Sequence, residues 1–156
     1  MKFETKEDIA APLEYVFRVV SDFDGFERQA MRRGAEVSRL DALSEPGTGM
    51  AWDIAFPLRG KTRQLQIELT DYDLPHRMMF ESRSPNMGGH MVVDLVALSR
   101  QRTRLGLELE LKPQNLSARL LVQSLKLARN NLNKRFQIRV AEFAKTTEER
   151  YEGRMA

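Results

Sequence analysis

The chain has 156 residues, enough for one domain with a buried core of its own. Apolar residues make up 42% and charged residues 30%, as in ordinary globular proteins, and a net charge of +3 does not by itself indicate nucleic-acid binding. Because there is no cysteine, disulfides, thiolate metal sites and a cysteine nucleophile are excluded. The charged N-terminus is unlike a signal peptide and no apolar run approaches the roughly 20 residues of a membrane span, so we expect a cytoplasmic protein.

The first part of the chain predicts a strand over residues 2–9 and two short helices over residues 12–33. Pro12 suits the first turn of a helix, because its missing N–H needs no partner there. Apolar residues then recur at helical spacing at Leu13, Val16, Phe17 and Val20. Asp22 is a candidate cap for the second helix, which we expect to end at Gly34.

From Gly34 onward the apolar pattern changes to a period of two. Apolar and polar residues alternate along residues 50–58, 64–70 and 105–112. Such alternation is typical of an antiparallel sheet with one apolar face and one polar face. Turns rich in glycine, proline and polar residues are predicted at 45–49, 59–61, 74–76, 85–89 and 99–101. Six strands therefore fit within residues 34–112, and the strand at 2–9 makes seven.

The last part of the chain predicts one long helix over residues 115–150, a stretch without glycine or proline. Asn115 or Ser117 can cap its start. An apolar stripe follows one helix face at Leu121, Leu125, Ala128, Leu132, Phe136, Val140 and Phe143. At about 1.5 Å per residue the helix reaches roughly 50 Å, longer than a small domain needs. We therefore expect the turns past about Thr146 to project or fray.

Three segments follow one another in a recognisable order. They are Ile9-Ala10-Ala11-Pro12 continuing through Val16-Phe17 to Ser21-Asp22-Phe23, then Gly47-Thr48-Gly49 before the strand of Trp52, then Asp71-Tyr72-Asp73-Leu74-Pro75-His76-Arg77. This order resembles the START/Bet v 1-like (SRPBCC) superfamily, often labelled polyketide cyclase/dehydrase and lipid transport proteins. The resemblance implies a single α+β domain over residues 1–156 with a helix-grip fold. In that fold a seven-stranded curved antiparallel sheet wraps around a long C-terminal helix, with two short helices between strands 1 and 2.

The resemblance also implies a ligand cavity between the sheet and the C-terminal helix. We predict that the apolar sheet face and the helix stripe line it, through Met50, Trp52, Ile54, Phe56, Leu65, Ile67, Met78, Phe80, Met91, Leu107, Leu125, Leu132 and Phe136. Arg139, close to the stripe, is the candidate anchor for an anionic or carbonyl head group. Two alternatives stay open: the apolar side chains fill the interior completely, or the Arg139 stem covers apolar surface while its guanidinium reaches water.

The C-terminal helix is unusually basic. Residues 112–140 hold seven basic residues and no acidic one: Lys112, Arg119, Lys126, Arg129, Lys134, Arg135 and Arg139. A peripheral membrane contact or an acidic protein are the candidate partners, and a solvated face that pairs with sheet-edge carboxylates is the alternative. Nucleic acid is not expected, because interleaved aromatics and recognition motifs are missing. A second apolar line, Leu120, Leu127 and Ile138, fits a dimer contact or a bilayer surface, so monomer and homodimer both stay open.

Signs of catalysis are weak. His76 and His90 lack the spacing of a metal site, and we expect neither a metal nor a cofactor. Asp22 and Glu27 form a candidate acid–base pair, with a helix cap and a surface charge as the simpler interpretation. The leading hypothesis is a non-enzymatic carrier or sensor of a small hydrophobic ligand, such as a lipid, quinone or polyketide-like molecule. The alternatives are a small cyclase or dehydratase using the same cavity, and an interaction module using the basic helix.

Overall fold

The computed structural model describes residues 1–58 and 60–155. Arg59, in the predicted turn at 59–61, lies outside the described residues. Seven strands occur in the described part of the chain. One lies at residues 2–9, as predicted, and the other six lie between residues 36 and 113, against the predicted range of 34–112. The seven strands are β1 (Lys2–Ile9), β2 (Glu36–Arg39), β3 (Ala51–Leu58), β4 (Lys61–Asp73), β5 (Arg77–Arg83), β6 (Met87–Ser99) and β7 (Arg102–Pro113).

The strands form one curved antiparallel sheet in the order β1-β7-β6-β5-β4-β3-β2. From β2 to β7 each strand pairs with the next one along the chain, and from β3 onward the connections between paired strands have only two or three residues. Strand β1 instead pairs with β7, so that Lys2 lies opposite Glu110 and Ile9 opposite Thr103. The predicted fold class is confirmed.

Two short helices connect β1 to β2, as predicted. Helix α1 (Leu13–Val20) begins directly after Pro12 and buries Leu13, Val16, Phe17 and Val20. Helix α2 (Phe23–Arg32) begins after Asp22, whose carboxylate accepts a hydrogen bond of 3.1 Å from the Gly25 N–H. The predicted cap at Asp22 is therefore confirmed. Phe23 at the start of α2 is buried and directs the helix onto the sheet.

The region predicted as one helix over residues 115–150 forms two helices, α3 (Leu116–Leu127) and α4 (Arg129–Met155), which meet at Ala128. Asn115 is the cap of α3, since its side-chain oxygen accepts a 2.9 Å hydrogen bond from the Ala118 N–H. The two helices pack on different strands, α3 against β7 and α4 along β1, and this change of packing partner is the physical reason for the break. The long C-terminal helix of the predicted fold is α4. Along the residues described here, no helix is long and apolar enough to cross a membrane.

The end of α4 does not project, contrary to the sequence-based expectation. Thr147 is 1% exposed, and the ring of Tyr151 lies 4.9 Å from that of Tyr15 on α1. The Ala10 N–H donates a 2.8 Å hydrogen bond to Oε1 of Glu148. The last turns of α4 therefore lie against α1 and the end of β1.

Candidate ligand-binding cavity

A cavity of about 470 Å³ lies between the sheet, α4 and the two short helices, and it opens to solvent. Phe26, which is 41% exposed, and the exposed Arg139 lie at its opening. Nineteen residues line it, and all but Glu27 and Arg139 are apolar: Val20, Phe23, Phe26, Glu27, Ala30, Val37, Trp52, Ile54, Ile67, Met78, Phe80, Met91, Val93, Leu105, Leu107, Phe136, Arg139, Val140 and Phe143. The volume lies within the range of small-molecule sites.

Strands β2 to β7 build the sheet wall of the cavity. On each strand from β3 to β7, the lining residues are those that alternation directs to the inner face. Cross-strand pairing then joins them, with Trp52 opposite Ile67 and Phe80 opposite Met91. Since opposed side chains on one face lie in contact distance, the wall is a continuous apolar surface.

The helices build the opposite wall. Helix α4 contributes one face, with Phe136, Arg139, Val140 and Phe143 at steps of three and one residues. From α2, the ring of Phe23 lies 5.5 Å from that of Trp52 and 6.4 Å from that of Phe80. These centroid distances are typical of favourable aromatic contacts, so Phe23 joins α2 to the sheet at one end of the cavity.

The indole of Trp52 also joins α2 to the sheet through a polar contact. Its N–H donates a 2.7 Å hydrogen bond to Oε1 of Glu27, a half-buried residue on α2. The guanidinium of Arg39 lies 5.6 Å from the centroid of the same ring, within the range of a cation–π interaction. Trp52 is only 6% exposed, so this arrangement fixes both the ring and the Glu27 carboxylate at the cavity wall.

Asp41 holds Arg39 in this position. The two side chains share hydrogen bonds of 2.6 and 2.9 Å, and Asp41 also accepts bonds from the backbone N–H groups of Ala51 and Leu43. The hydrogen bond from Arg39, followed by the backbone bonds, holds the pKa of Asp41 well below its usual value. The same pair raises the pKa of Arg39. Both groups therefore remain charged at neutral pH, and Arg39 is held over the indole.

Glu27 and Arg139 are the two charged residues of the lining. Within the described residues, the ion pairs closer than 4.0 Å involve neither of them. The cavity therefore offers an apolar volume with one hydrogen-bond acceptor held by Trp52 and one guanidinium near the opening. Such a site can enclose an apolar molecule and bind a polar group at its end. In the described chain, no group of three or more His, Asp and Glu side chains is arranged to hold a metal ion.

Nine of the fourteen residues predicted from the sequence line this cavity: Trp52, Ile54, Ile67, Met78, Phe80, Met91, Leu107, Phe136 and Arg139. The other five do not. Met50 is buried in the core just before β3. Phe56 lies beyond the lining residue Ile54 on β3, and Leu65 lies opposite Ile54 on β4 without belonging to the lining. Leu125 belongs to α3, which the break at Ala128 separates from the lining helix α4, and Leu132 lies in the first turn of α4, before the first lining residue Phe136. Whether the nine contact a ligand stays a prediction.

Ten lining residues were not among the predicted site residues: Val20, Phe23, Phe26, Glu27, Ala30, Val37, Val93, Leu105, Val140 and Phe143. Five of them lie on α1 and α2, whose position over the cavity the helical spacing alone does not reveal. Val140 and Phe143 belong to the apolar stripe recognised in the sequence. That stripe is the sequence signal that could have added both residues to the predicted site.

A curved antiparallel sheet closed by a long C-terminal helix over an apolar cavity defines a helix-grip protein of the START/Bet v 1-like class. The sequence comparison then identifies the family. The chain belongs to the family described as polyketide cyclase/dehydrase and lipid transport, whose sequence profile matches residues 1–148. The family predicted from the three sequence segments is therefore confirmed. None of the curated proteins matches the chain in sequence.

Solved structures with little sequence similarity share the fold. The Zhui aromatase/cyclase from Streptomyces sp. R1128 superposes with a TM-score of 0.65 at 14% identity, covering 100% of this chain and 96% of that one. A START superfamily protein from Mycobacterium smegmatis gives 0.56 at 13% identity, covering 86% and 95%. Ara h 8.0201 gives 0.59 at 12% identity, covering 94% and 98%. At these identities the likeness extends to the fold alone.

Proposed function

We propose that the protein binds and carries a small hydrophobic molecule in this cavity without transforming it. The observation that carries the proposal is the open volume of about 470 Å³, in which seventeen of the nineteen lining residues are apolar. Membership of a polyketide cyclase/dehydrase and lipid transport family supports ligand binding and names no ligand. The proposed ligand class is lipid-, quinone- or polyketide-like.

The proposed binding mode divides the ligand into an apolar body and one polar end. The body contacts Trp52, Ile67 and Phe136, and the polar end lies near Glu27 or Arg139 at the opening. Burial of apolar surface contributes about 25 cal/mol for each Å². Most of the affinity then comes from contacts that salt does not screen, so the affinity is nearly independent of ionic strength. The predicted cytoplasmic location stays a prediction.

The first test is native mass spectrometry of protein purified from its own host, with organic extraction of whatever is bound. A hydrophobic passenger at one copy per chain would support the proposal and identify its chemical class. A protein that is empty, and that also fails to bind a panel of fatty acids, quinones and aromatic polyketides, would contradict it.

The second test uses Trp52, the single tryptophan of the chain, as a reporter in the cavity wall. A ligand in the cavity changes the environment of the indole and therefore its emission. Leu107→Phe fills part of the cavity and is expected to weaken binding about tenfold or more. Leu98→Phe is the matched control, because Leu98 is 41% exposed and does not line the cavity. Equal affinities of the two variants would place the ligand elsewhere.

The second candidate function is a small cyclase or dehydratase that uses the same cavity. The observation in its favour is that Glu27, held by Trp52, and Arg139 both face an apolar volume, where a positioned carboxylate can transfer a proton. Incubation of the protein with its extracted passenger distinguishes the two functions. An enzyme forms a new product, and Glu27→Gln slows that turnover about 100-fold or more. A carrier returns the passenger unchanged.

A further inference from the structure

Helix α3 exposes large apolar side chains to solvent. Leu116 is 72% exposed, Leu120 is 58% exposed and Leu127 is 91% exposed. The helix is held to the rest of the molecule by its other side, where Ala118 and Val122 are buried. Surface helices usually carry polar residues on the face that points away from the core. The outer face of α3 departs from that rule.

Three of the exposed leucines form a narrow stripe, while Leu121, 49% exposed, lies outside it. At about 100° per residue, Leu116, Leu120 and Leu127 fall within an arc of about 40° around the helix axis. The buried Ala118 and Val122 lie on the opposite side, about 180° and 140° from the centre of that arc. We refer to Leu116, Leu120 and Leu127 as the outer stripe. It points directly away from the sheet, so no other part of the described chain covers it.

Basic residues without ion-pair partners in the described chain lie along one side of the outer stripe and continue into α4. Arg119 and Lys126 lie beside it on α3, and Lys134 and Arg135 follow in the first turns of α4. All seven basic residues of 112–140 lack a carboxylate within 4.0 Å in the described structure, where the ion pairs involve other residues. The pairing with sheet-edge carboxylates considered as an alternative is therefore not seen. The segment presents a charge of +7 to solvent.

We infer that α3 and the first turns of α4 bind the surface of an anionic lipid bilayer. A helix lying in the membrane interface inserts apolar side chains by about 5–10 Å while lysine and arginine contact the head groups. Each basic residue near an anionic surface contributes about 1 kcal/mol of attraction. The outer stripe supplies the inserted side chains, and the flanking basic residues supply the electrostatic attraction.

The other occupants fit the surface less well. A second copy of the chain would bring two segments of +7 together, and like charges oppose such a contact. An acidic protein would satisfy the charge, but helix recognition by proteins uses a groove that encloses the apolar side chains. The outer stripe is a ridge on a convex helix, with all three leucines more than half exposed. A fluid bilayer surface can surround such a ridge without a complementary shape.

The inference goes beyond the proposed function and does not depend on it. Vesicle binding requires the outer stripe and the basic residues, none of which lines the cavity except Arg139. The basic segment nevertheless reaches the cavity, because Arg139 belongs to that segment and also lines the cavity. If the protein carries a hydrophobic molecule, this placement brings the carrier to a membrane.

Vesicle flotation with the full chain tests the inference. The probes are vesicles of phosphatidylcholine alone and vesicles that also contain about 30% phosphatidylglycerol. We expect binding to the anionic vesicles and little binding to the neutral ones. Leu120→Ser combined with Leu127→Ser is expected to weaken binding about tenfold or more. Arg119→Gln combined with Lys126→Gln is expected to weaken it by a similar factor and to reduce its salt dependence.

The matched control is Leu74→Ser combined with Leu98→Ser, which removes two exposed leucines outside α3 and should leave vesicle binding unchanged. Circular dichroism melts of every variant check folding, which these exposed substitutions should preserve. Three results would overturn the inference: no binding of the wild type to anionic vesicles, equal binding to neutral vesicles, or equal loss in the control. A wild-type dimer that becomes monomeric on Leu120→Ser with Leu127→Ser, without vesicle binding, would assign the stripe to a second copy.

Discussion

The hydrogen bond between Trp52 and Glu27 can be isolated by substitution. Trp52→Phe removes the indole N–H but keeps a ring beside Phe23, and Glu27→Ala removes the acceptor. A hydrogen bond to a charged group contributes about 1.5–3 kcal/mol when it is well shielded. Because Glu27 is half-buried, water can replace part of the interaction, and we expect a coupling energy of about 1 kcal/mol. Trp52→Ala also removes the ring and should cost about 3–5 kcal/mol.

The assay is urea unfolding of the wild type, both single variants and the double variant, followed by circular dichroism. With a slope near 2 kcal/mol per molar urea, a coupling of about 1 kcal/mol corresponds to about 0.5 M in the midpoints. The control cycle replaces Glu27→Ala by Asp24→Ala, a carboxylate on the same helix that makes no hydrogen bond to the indole. A coupling below about 0.3 kcal/mol in the Glu27 cycle, or an equal coupling in the control, would refute the assignment.

Three further predictions concern the framework of the cavity. Since Arg39 lowers the pKa of Asp41, the stabilisation from their pair is complete above pH about 4 and is lost as the pH falls further. Asp41→Asn should therefore lower the urea midpoint at pH 7 and flatten its decline below pH about 4. Thr103 is fully buried and donates a 2.8 Å hydrogen bond to the Ala11 carbonyl, so Thr103→Val should cost about 1–3 kcal/mol in the same assay. Leu69 is also fully buried, and Leu69→Ala should cost about 2–5 kcal/mol, measured by urea unfolding. Stabilities within 0.3 kcal/mol of the wild type would contradict the burial assigned to Thr103 or Leu69.

Most of the sheet was predictable because its pattern is local. Along β7, Leu105 and Leu107 alternate with polar or small residues, and a period of two has few interpretations other than a strand with one apolar face. Asp22 and Asn115 were predictable as caps for a similar reason, since each accepts a hydrogen bond from an N–H only three residues away. Short-range chemistry determines these features, and short-range chemistry is what a single sequence displays.

The break at Ala128 and the extent of the cavity depend on contacts that are distant in sequence. Alanine favours helix, so nothing near Ala128 indicates that the segment before it packs on β7 and the segment after it on β1. Alternation likewise tells which face of the sheet a residue occupies but not which residues of that face border the cavity. Leu65 and Ile67 share a face of β4, yet of the two only Ile67 lines the cavity.

The position of β1 in the sheet has a consequence for how the protein folds during synthesis. The strands from β2 to β7 can pair with their neighbours as each one is made, but β1 must wait for β7, with Lys2 opposite Glu110. Contacts between residues so distant in sequence form slowly, because a long loop must close first. Helix α4, which packs along β1, is made later still. The cavity is therefore complete only when nearly the whole chain has left the ribosome, and a nascent chain passes through a stage in which its apolar sheet face is uncovered.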